Sequence, residues 1–262
     1  MGPEEFVAAM IPLTFLGMLA LELLLDTGRA WPEIPWWRAK GLAFFIVLMT
    51  LNAVLPSLVP LQWASHHFVD GAALGVFGGA ALGYAAVSLA NACVHRAYHR
   101  YPLLWRLVHQ LHHAPQRLDI AGSVVFTPLE VSVNVVVSFT VMVFVLGLDP
   151  LAAAITGYIA AFYGMFQHLN LRTPQWLGYL IQRPESHGVH HRRGFHACNY
   201  SDLPVWDMLW GTFRNPKQYL GEVGFEREAA TRIGAMLLGR DVNAADLGPA
   251  SRGSTDPAAN PA

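Results

Sequence analysis

His95-Arg96-Ala97-Tyr98-His99 closes an apolar run that starts at Gly71 and holds no Asp, Glu, Lys or Arg before Arg96. The run from Gly71 to Val94 exceeds the roughly 20 residues that a helix needs to cross the hydrocarbon core of a bilayer. Residues four apart on a helix share a face. The stretch therefore reads as a transmembrane helix that leaves the bilayer with two imidazoles on one side. Working outward, Phe6 to Leu25, Gly41 to Leu61, Val131 to Leu148 and Leu151 to Leu171 are also apolar, with Glu22 and His168 as their notable polar members. The last two stretches are joined by the breaker Gly147-Leu148-Asp149-Pro150 and read as a hairpin of helices, each short enough to be re-entrant. The expectation is an all-α integral membrane protein of four to five transmembrane helices with a helical cap. Gly71, Gly75, Gly79 and Gly83 form a ridge of small residues on the third span, suited to close approach by another helix.

Composition agrees. Hydrophobic residues make up 53% and charged residues 13% of the 262, against about 25% charged in an ordinary soluble domain. A net charge of −1 provides no basic field for nucleic acid. Two cysteines, Cys93 and Cys198, cannot build a disulfide framework or a Cys-rich zinc site and are expected as reduced thiols. Met1-Gly2-Pro3-Glu4-Glu5 lacks the basic region of a signal peptide, and Phe6 breaks the myristoylation pattern. All 17 Lys and Arg fall between spans one and two, after span three or after span five. Every basic residue then lies on one side, which the positive-inside rule makes the cytoplasm: the inner membrane of a bacterium, or the endoplasmic reticulum of a eukaryote.

Ten of the twelve histidines lie on that side or at its membrane edge. They run His95 and His99; His109, His112 and His113; His168; His187, His190 and His191; then His196. The spacing is HxxxH once and HxxHH twice, so each cluster is expected to aim its imidazoles at one point from a helix face. Neutral imidazole suits iron, zinc, copper or nickel. A single ion takes about four such ligands; eight clustered histidines plus His168 suit two. His66 and His67 lie in the loop on the opposite side and read as interfacial polar residues.

At these residues the chain resembles the sterol desaturase / fatty acid hydroxylase superfamily of membrane-bound di-iron oxygenases, from about Asn91 to Phe213. Besides the three clusters, Thr127-Pro128-Leu129-Glu130, Gln167-His168-Leu169-Asn170, Asn199-Tyr200 and Trp206-Asp207-Met208-Leu209-Trp210-Gly211-Thr212-Phe213 are similar to the family's elements. The resemblance implies metal ligation, and so catalysis, by His95, His99, His109, His112, His113, His168, His187, His190 and His191. His196 follows as a ligand, a supporting donor or a substrate contact. Asp119, Glu130, Glu185, Asn199, Asp202 and Asp207 are candidates for orienting the ligands, Asp207 foremost; Tyr98 reads as packing. Asn170 and Arg172 stand where some members carry a further histidine, and Val125-Phe126-Thr127 is apolar where many are charged.

The resemblance further implies two iron ions, with zinc as a substitute, and dioxygen as cosubstrate. The reaction is hydroxylation of an unactivated C–H bond of a membrane lipid, fatty acyl, sterol or alkyl; the alternatives are sterol-type desaturation and carotenoid hydroxylation. A non-catalytic metal-binding membrane protein is the alternative of another class. HExxH and GxSxG are absent from the sequence, which argues against a zincin protease and an α/β-hydrolase. Without a dinucleotide fingerprint or CxxC pair, electrons come from an external reductase, ferredoxin or cytochrome, for which Arg192 and Arg193 offer a docking charge. Trp176, Tyr179, Trp206, Trp210 and Phe213 are candidates for an interfacial belt. The expected organisation is N-terminal transmembrane helices over 1–70, a catalytic domain over 71–213 and an extension over 214–262. That extension is expected to hold one short helix from Phe225 to Leu238, to be disordered from about residue 248, and to add little.

Overall fold

The computed structural model describes residues 2–25, 29–195 and 197–243. The expected disorder from residue 248 falls outside these residues. Among the described residues the protein is all helical, with one antiparallel bridge, Arg192 to Val223.

Five apolar helices carry the fold: α1 (Pro3–Leu24), α2 (Trp37–Ser57), α3 (Gly75–Arg100), α5 (Pro128–Val145) and α6 (Pro150–Phe166). Between α3 and α5, residues 102–113 form the short α4, which includes a π-helical turn at Trp105–His109. Starts follow local chemistry. Thr127 Oγ1 accepts from the Glu130 N–H at 3.0 Å, Asp149 Oδ1 accepts from the Leu151 N–H at 2.9 Å, and each cap is followed by a proline at the first helical position. α1, α2, α5, and α3 with the turn that precedes it are long and apolar enough to cross a membrane. α6, with 17 residues, reaches about 26 Å at 1.5 Å per residue, short of the roughly 30 Å core. Leu13, Leu16, Ile46, Phe77 and Val136 stand exposed on the outer surface, as lipid-facing side chains do.

α6 sits between α1 and α3, while α5 sits between α2 and α3. The two helices expected to pair as a hairpin thus follow one another through a tight turn but pack mainly on other partners. The glycine ridge explains half of this. A Cβ at Gly79 or Gly83 would run into Ala152 or Thr156 of α6, so those two glycines let the backbones meet, and Thr156 Oγ1 donates to the Ala80 carbonyl. Gly75 is not part of the ridge: its surroundings are open, and it takes φ +66° where the preceding turn meets α3. Between the separated α5 and α6 an apolar cavity of about 450 Å³ opens, bounded also by α1 and α2.

The cap is built on α3, which continues unbroken to Arg100. Residues 214–243 were expected to add little, yet they brace the cap. Phe225 and Met236 are buried against Trp105 and Leu111, the Phe225 N–H donates to the Ala114 carbonyl, and the Gly224 N–H donates to the His191 carbonyl. The single helix expected over 225–238 is two, Arg227–Ala230 and Ile233–Leu237, parted at Thr231 and Arg232.

Candidate metal centre

α7 (Pro184–His190) and α8 (Pro204–Trp210) complete the cap. The nine clustered histidines converge in two groups. His95, His99, His109, His113 and His190 form one; His112, His168, His187 and His191 form the other. Within each group one ligand atom per residue lies within 4.8 Å of all the others. In the first, the Nε2 atoms of His95 and His109 are 2.9 Å apart, His99 and His95 3.2 Å, and His113 and His109 3.1 Å. In the second, His168 and His112 are 3.3 Å apart, and His187 and His168 3.1 Å. Nitrogens bound to one ion at about 2.0–2.1 Å stand roughly 3.0–3.4 Å from each other.

One expectation changes. Neither HxxHH cluster aims at a single point. His109 and His113 join the first group while His112 joins the second; His187 and His191 join the second while His190 joins the first. The reason is helical rotation. At 3.6 residues per turn, adjacent side chains diverge by about 100°, and the His112 and His113 rings stand at 88° to each other. The i,i+4 pair shares a face and the i+3 residue looks across it.

The second ring nitrogen of several histidines is held from outside. Nδ1–H of His95 donates to the Tyr200 carbonyl at 2.8 Å, that of His190 to the Cys198 carbonyl at 2.7 Å, and that of His168 to the Gly164 carbonyl at 2.8 Å. His109 Nδ1–H donates to Glu130 Oε1 at 2.6 Å. The Gln182 amide lies 3.1 Å from His187 Nδ1. The carbonyl and carboxylate partners fix the tautomer of His95, His109, His168 and His190 and leave Nε2 with its lone pair facing the group. His191 Nε2 is buried with no hydrogen-bond partner, a lone pair that a bound cation would satisfy. Burial and neighbouring imidazoles hold His112, His113, His187 and His191 well below the usual histidine range, and burial takes His168 down to about 4. All five are neutral at pH 7, the ligating form. The donor set therefore fits two borderline-soft divalent ions such as iron.

The other candidates sort by distance from the rings. Glu130 touches a histidine directly. Asp207 acts one step away: its carboxylate accepts from the Tyr200 and Ser201 N–H groups, both at 2.9 Å, and so places the carbonyl that holds His95. Asn199, at φ +53°, ties α7 to residue 214 by donating to the Ser186 and Arg214 carbonyls and accepting from the Arg214 N–H. Asp202 lines the cavity beneath the rings, where burial raises its carboxyl to about 7. Asp119 instead holds Trp37 and Arg117, and Glu185 holds Thr173 and Arg29. Tyr98 donates to Asn134 Oδ1 at 3.2 Å. Trp176 and Tyr179 are exposed; Trp206, Trp210 and Phe213 are half-buried, with Arg96 over the Trp210 ring. Arg193, offered above for docking, is paired with Glu222 and Glu226. His196 lies outside the described residues. The backbone carbonyls of Cys198, Tyr200 and Gly164 escaped sequence reasoning, because a carbonyl leaves no residue-type signature.

His95, His109, His112, His168 and His187 line a cavity of about 250 Å³, together with Ser88, Asn91 and Asn134. It adjoins the apolar cavity between α5 and α6, and the two share Ile11, Leu48, Phe126, Asn134, Ala160 and Ala161.

The fatty acid hydroxylase family model matches residues 80–212, half of the chain. The chain is 31% identical over 127 residues to the ornithine lipid hydroxylase OlsE of Rhizobium tropici, covering 47% of this chain and 38% of that protein. It is 32% identical over 143 residues to the fatty acid hydroxylase vlmA of a Lecanicillium species, covering 46% and 37%. The matched region thus spans less than two fifths of either relative. No solved structure matches.

Proposed function

The chain belongs to the fatty acid hydroxylase family, and from that premise we propose that it is a di-iron enzyme that uses dioxygen to hydroxylate an unactivated C–H bond of a membrane lipid. One observation carries the reading: two imidazole groups face a cavity that adjoins an apolar one within the membrane-spanning helices. His95, His99, His109, His113 and His190 would hold one iron; His112, His168, His187 and His191 would hold the other. When bound, the irons supply the redox activation of dioxygen that side chains lack.

The remaining duties belong to the protein. Glu130 and the carbonyls of Tyr200, Cys198 and Gly164 keep the rings oriented. The α5–α6 cavity takes an acyl or alkyl chain and excludes water from it. The upper cavity holds the reacting carbon. The overall balance is R–H + O₂ + 2e⁻ + 2H⁺ → R–OH + H₂O, so an external reductase, ferredoxin or cytochrome is required. The distribution of Lys and Arg supports a cytoplasmic site, in the bacterial inner membrane or the endoplasmic reticulum.

The test is product analysis of the iron-loaded, full-length protein in lipid with ¹⁸O₂ and a reductant. Label in a lipid alcohol is the expected result. An unlabelled alkene would turn the reading to desaturation. No lipid product from a protein that carries iron would leave only metal binding and overturn the proposal.

A further inference from the structure

Asn134 sits on α5 one turn, about 6 Å, past Glu130, the carboxylate bonded to His109. It lines both the upper cavity and the apolar one; the other residues that do so are Ile11, Leu48, Phe126, Ala160 and Ala161. An amide therefore stands in an otherwise apolar passage, between the cavity assigned above to the reacting carbon and the one assigned to the chain. Its orientation is set from behind. The Tyr98 hydroxyl donates to Asn134 Oδ1 at 3.2 Å, and the Tyr98 ring centre lies 5.3 Å from that of His109. With the oxygen engaged by Tyr98, Nδ2 is the end turned to the passage. It donates to no described residue, and it is not sealed off among them.

Bonding between helices does not by itself account for this residue. Ser132 and Ser138 on the same helix settle their bonds within the protein, Ser132 by donating to the Pro128 carbonyl and Ser138 by accepting from Asn91 Nδ2. Holding Tyr98 uses only the oxygen of Asn134 and leaves both of its N–H groups over. Water satisfies such donors while no lipid is bound. A plain hydrocarbon drawn across them displaces that water and offers no acceptor, whereas a lipid oxygen at the same point replaces it without loss. A site that presents a donor in this way discriminates against the analogue that lacks the acceptor.

We propose that Asn134 is a specificity-determining residue, whose Nδ2–H groups donate to an oxygen of the lipid substrate, an acyl carbonyl or a chain hydroxyl, and so fix which carbon stands beneath the rings. The inference rests on the lipid hydroxylase reading. It narrows that reading to lipids whose reacting carbon lies within a few bonds of such an oxygen, because the amide is only one helical turn from the carboxylate that holds His109.

The test is lipid binding to the full-length protein loaded with zinc, which occupies imidazole sites and has no redox chemistry. Methyl hexadecanoate, hexadecanol and hexadecane are added at equal mole fraction in neutral detergent micelles, and saturable thermal stabilisation reports the midpoint of each. In wild type, an oxygen-bearing probe should bind about 10–100-fold more tightly than hexadecane, the range for leaving a buried donor unmet. Tighter binding of the ester assigns a carbonyl; tighter binding of the alcohol assigns a hydroxyl. Asn134→Leu, which keeps the bulk and drops the amide, should abolish the preference, whereas loss of a purely structural residue would weaken all three probes alike. Tyr98→Phe, which unlocks the amide and leaves α5 unchanged, should reduce the preference. No saturable shift, equal midpoints in wild type, or a preference unchanged in Asn134→Leu overturns the proposal; where the leucine variant does not fold, an unchanged preference in Tyr98→Phe does so. The ¹⁸O₂ assay separates the two readings. A preference without labelled alcohol overturns the hydroxylase and keeps the oxygen site, and labelled alcohol without the preference does the reverse.

Discussion

The two imidazole groups are built differently. The group of five takes His95 and His99 from α3, a continuous helix that runs from the membrane into the cap, His109 and His113 from α4, and one ring, His190, from α7. The group of four takes His168 from the turn just past α6, His112 from α4, and His187 and His191 from α7 and its end. The first has a carboxylate, Glu130, on one of its rings; in the second, His168 is held by a neutral carbonyl and His187 abuts an amide. Because each HxxHH cluster gives its odd histidine to the opposite group, α4 and α7 cannot move without disturbing both. The comparison teaches that the repeated motif is a cross-link between two sites and not two copies of one.

Removing a ring should expose the difference most strongly. His168→Ala leaves three imidazoles in the smaller group, fewer than the four a closed site uses. Metal content should fall by about half and activity by more than the 10–100-fold typical of losing an outer partner. His99→Ala leaves four in the larger group and should retain more metal. Metal analysis of the purified variants decides the matter; equal losses would mean that the five-and-four division has no bearing on binding.

A smaller effect is expected one bond further out. Glu130→Gln keeps an oxygen that can accept from His109 Nδ1–H but removes the charge. Activity should fall about 10–100-fold, while metal in the group of four stays in place. Spectra of a metal-substituted protein, for example with cobalt, would assign the change to one site. A change spread over both would show that the carboxylate supports the whole cap.

Much of this was legible because it repeats. Apolar runs of about 20 residues announce spans, and imidazoles at three- and four-residue steps announce a shared helix face. The divergence of His112 from His113 follows from helical rotation, but which group each one joins was not legible, since it depends on which way α4 faces, and that is set by Trp105 and Leu111 packing against Phe225 and Met236 over a hundred residues away. The same contact explains why residues 214–243 looked idle: their role lies in distant packing and carries no motif. The separation of α5 from α6 was hidden for a related reason. A short connection fixes sequence neighbours, whereas partners are chosen by surface fit, here Gly79 and Gly83 against Ala152 and Thr156.

The carboxyl groups facing the upper cavity extend the comparison to pH. Asp202, hydrogen-bonded to the Gln167 side chain beside His168, has its carboxyl raised by burial from 3.8 to about 7. At low pH it is protonated in folded and unfolded chains alike and has no effect. As pH climbs from about 4 to about 7 the unfolded chain releases this proton first, so the folded state loses stability. Asp202→Asn removes that loss. The melting temperature of the variant minus that of wild type should increase between pH 5 and pH 8, on the order of several degrees, at equal metal loading. A difference that stays flat or falls would show that the carboxylate is stabilised where it sits.

The smallest effect is expected at His66 and His67, which test whether imidazole alone attracts the metal. The N–H groups of Phe68 and Val69 donate to the carbonyls of Phe144 and Val145, which ties this loop to the far end of α5, and His67 lies against Gly147. His95 is twenty residues along α3 from Gly75, about 30 Å at 1.5 Å per residue. Neither ring can join the cap without breaking α3. Replacing both with Ala should leave metal content and activity within error of wild type. A loss of metal from this pair would mean that ions collect at the opposite end of the bundle, and the contrast between the two cap groups would no longer account for what the protein binds.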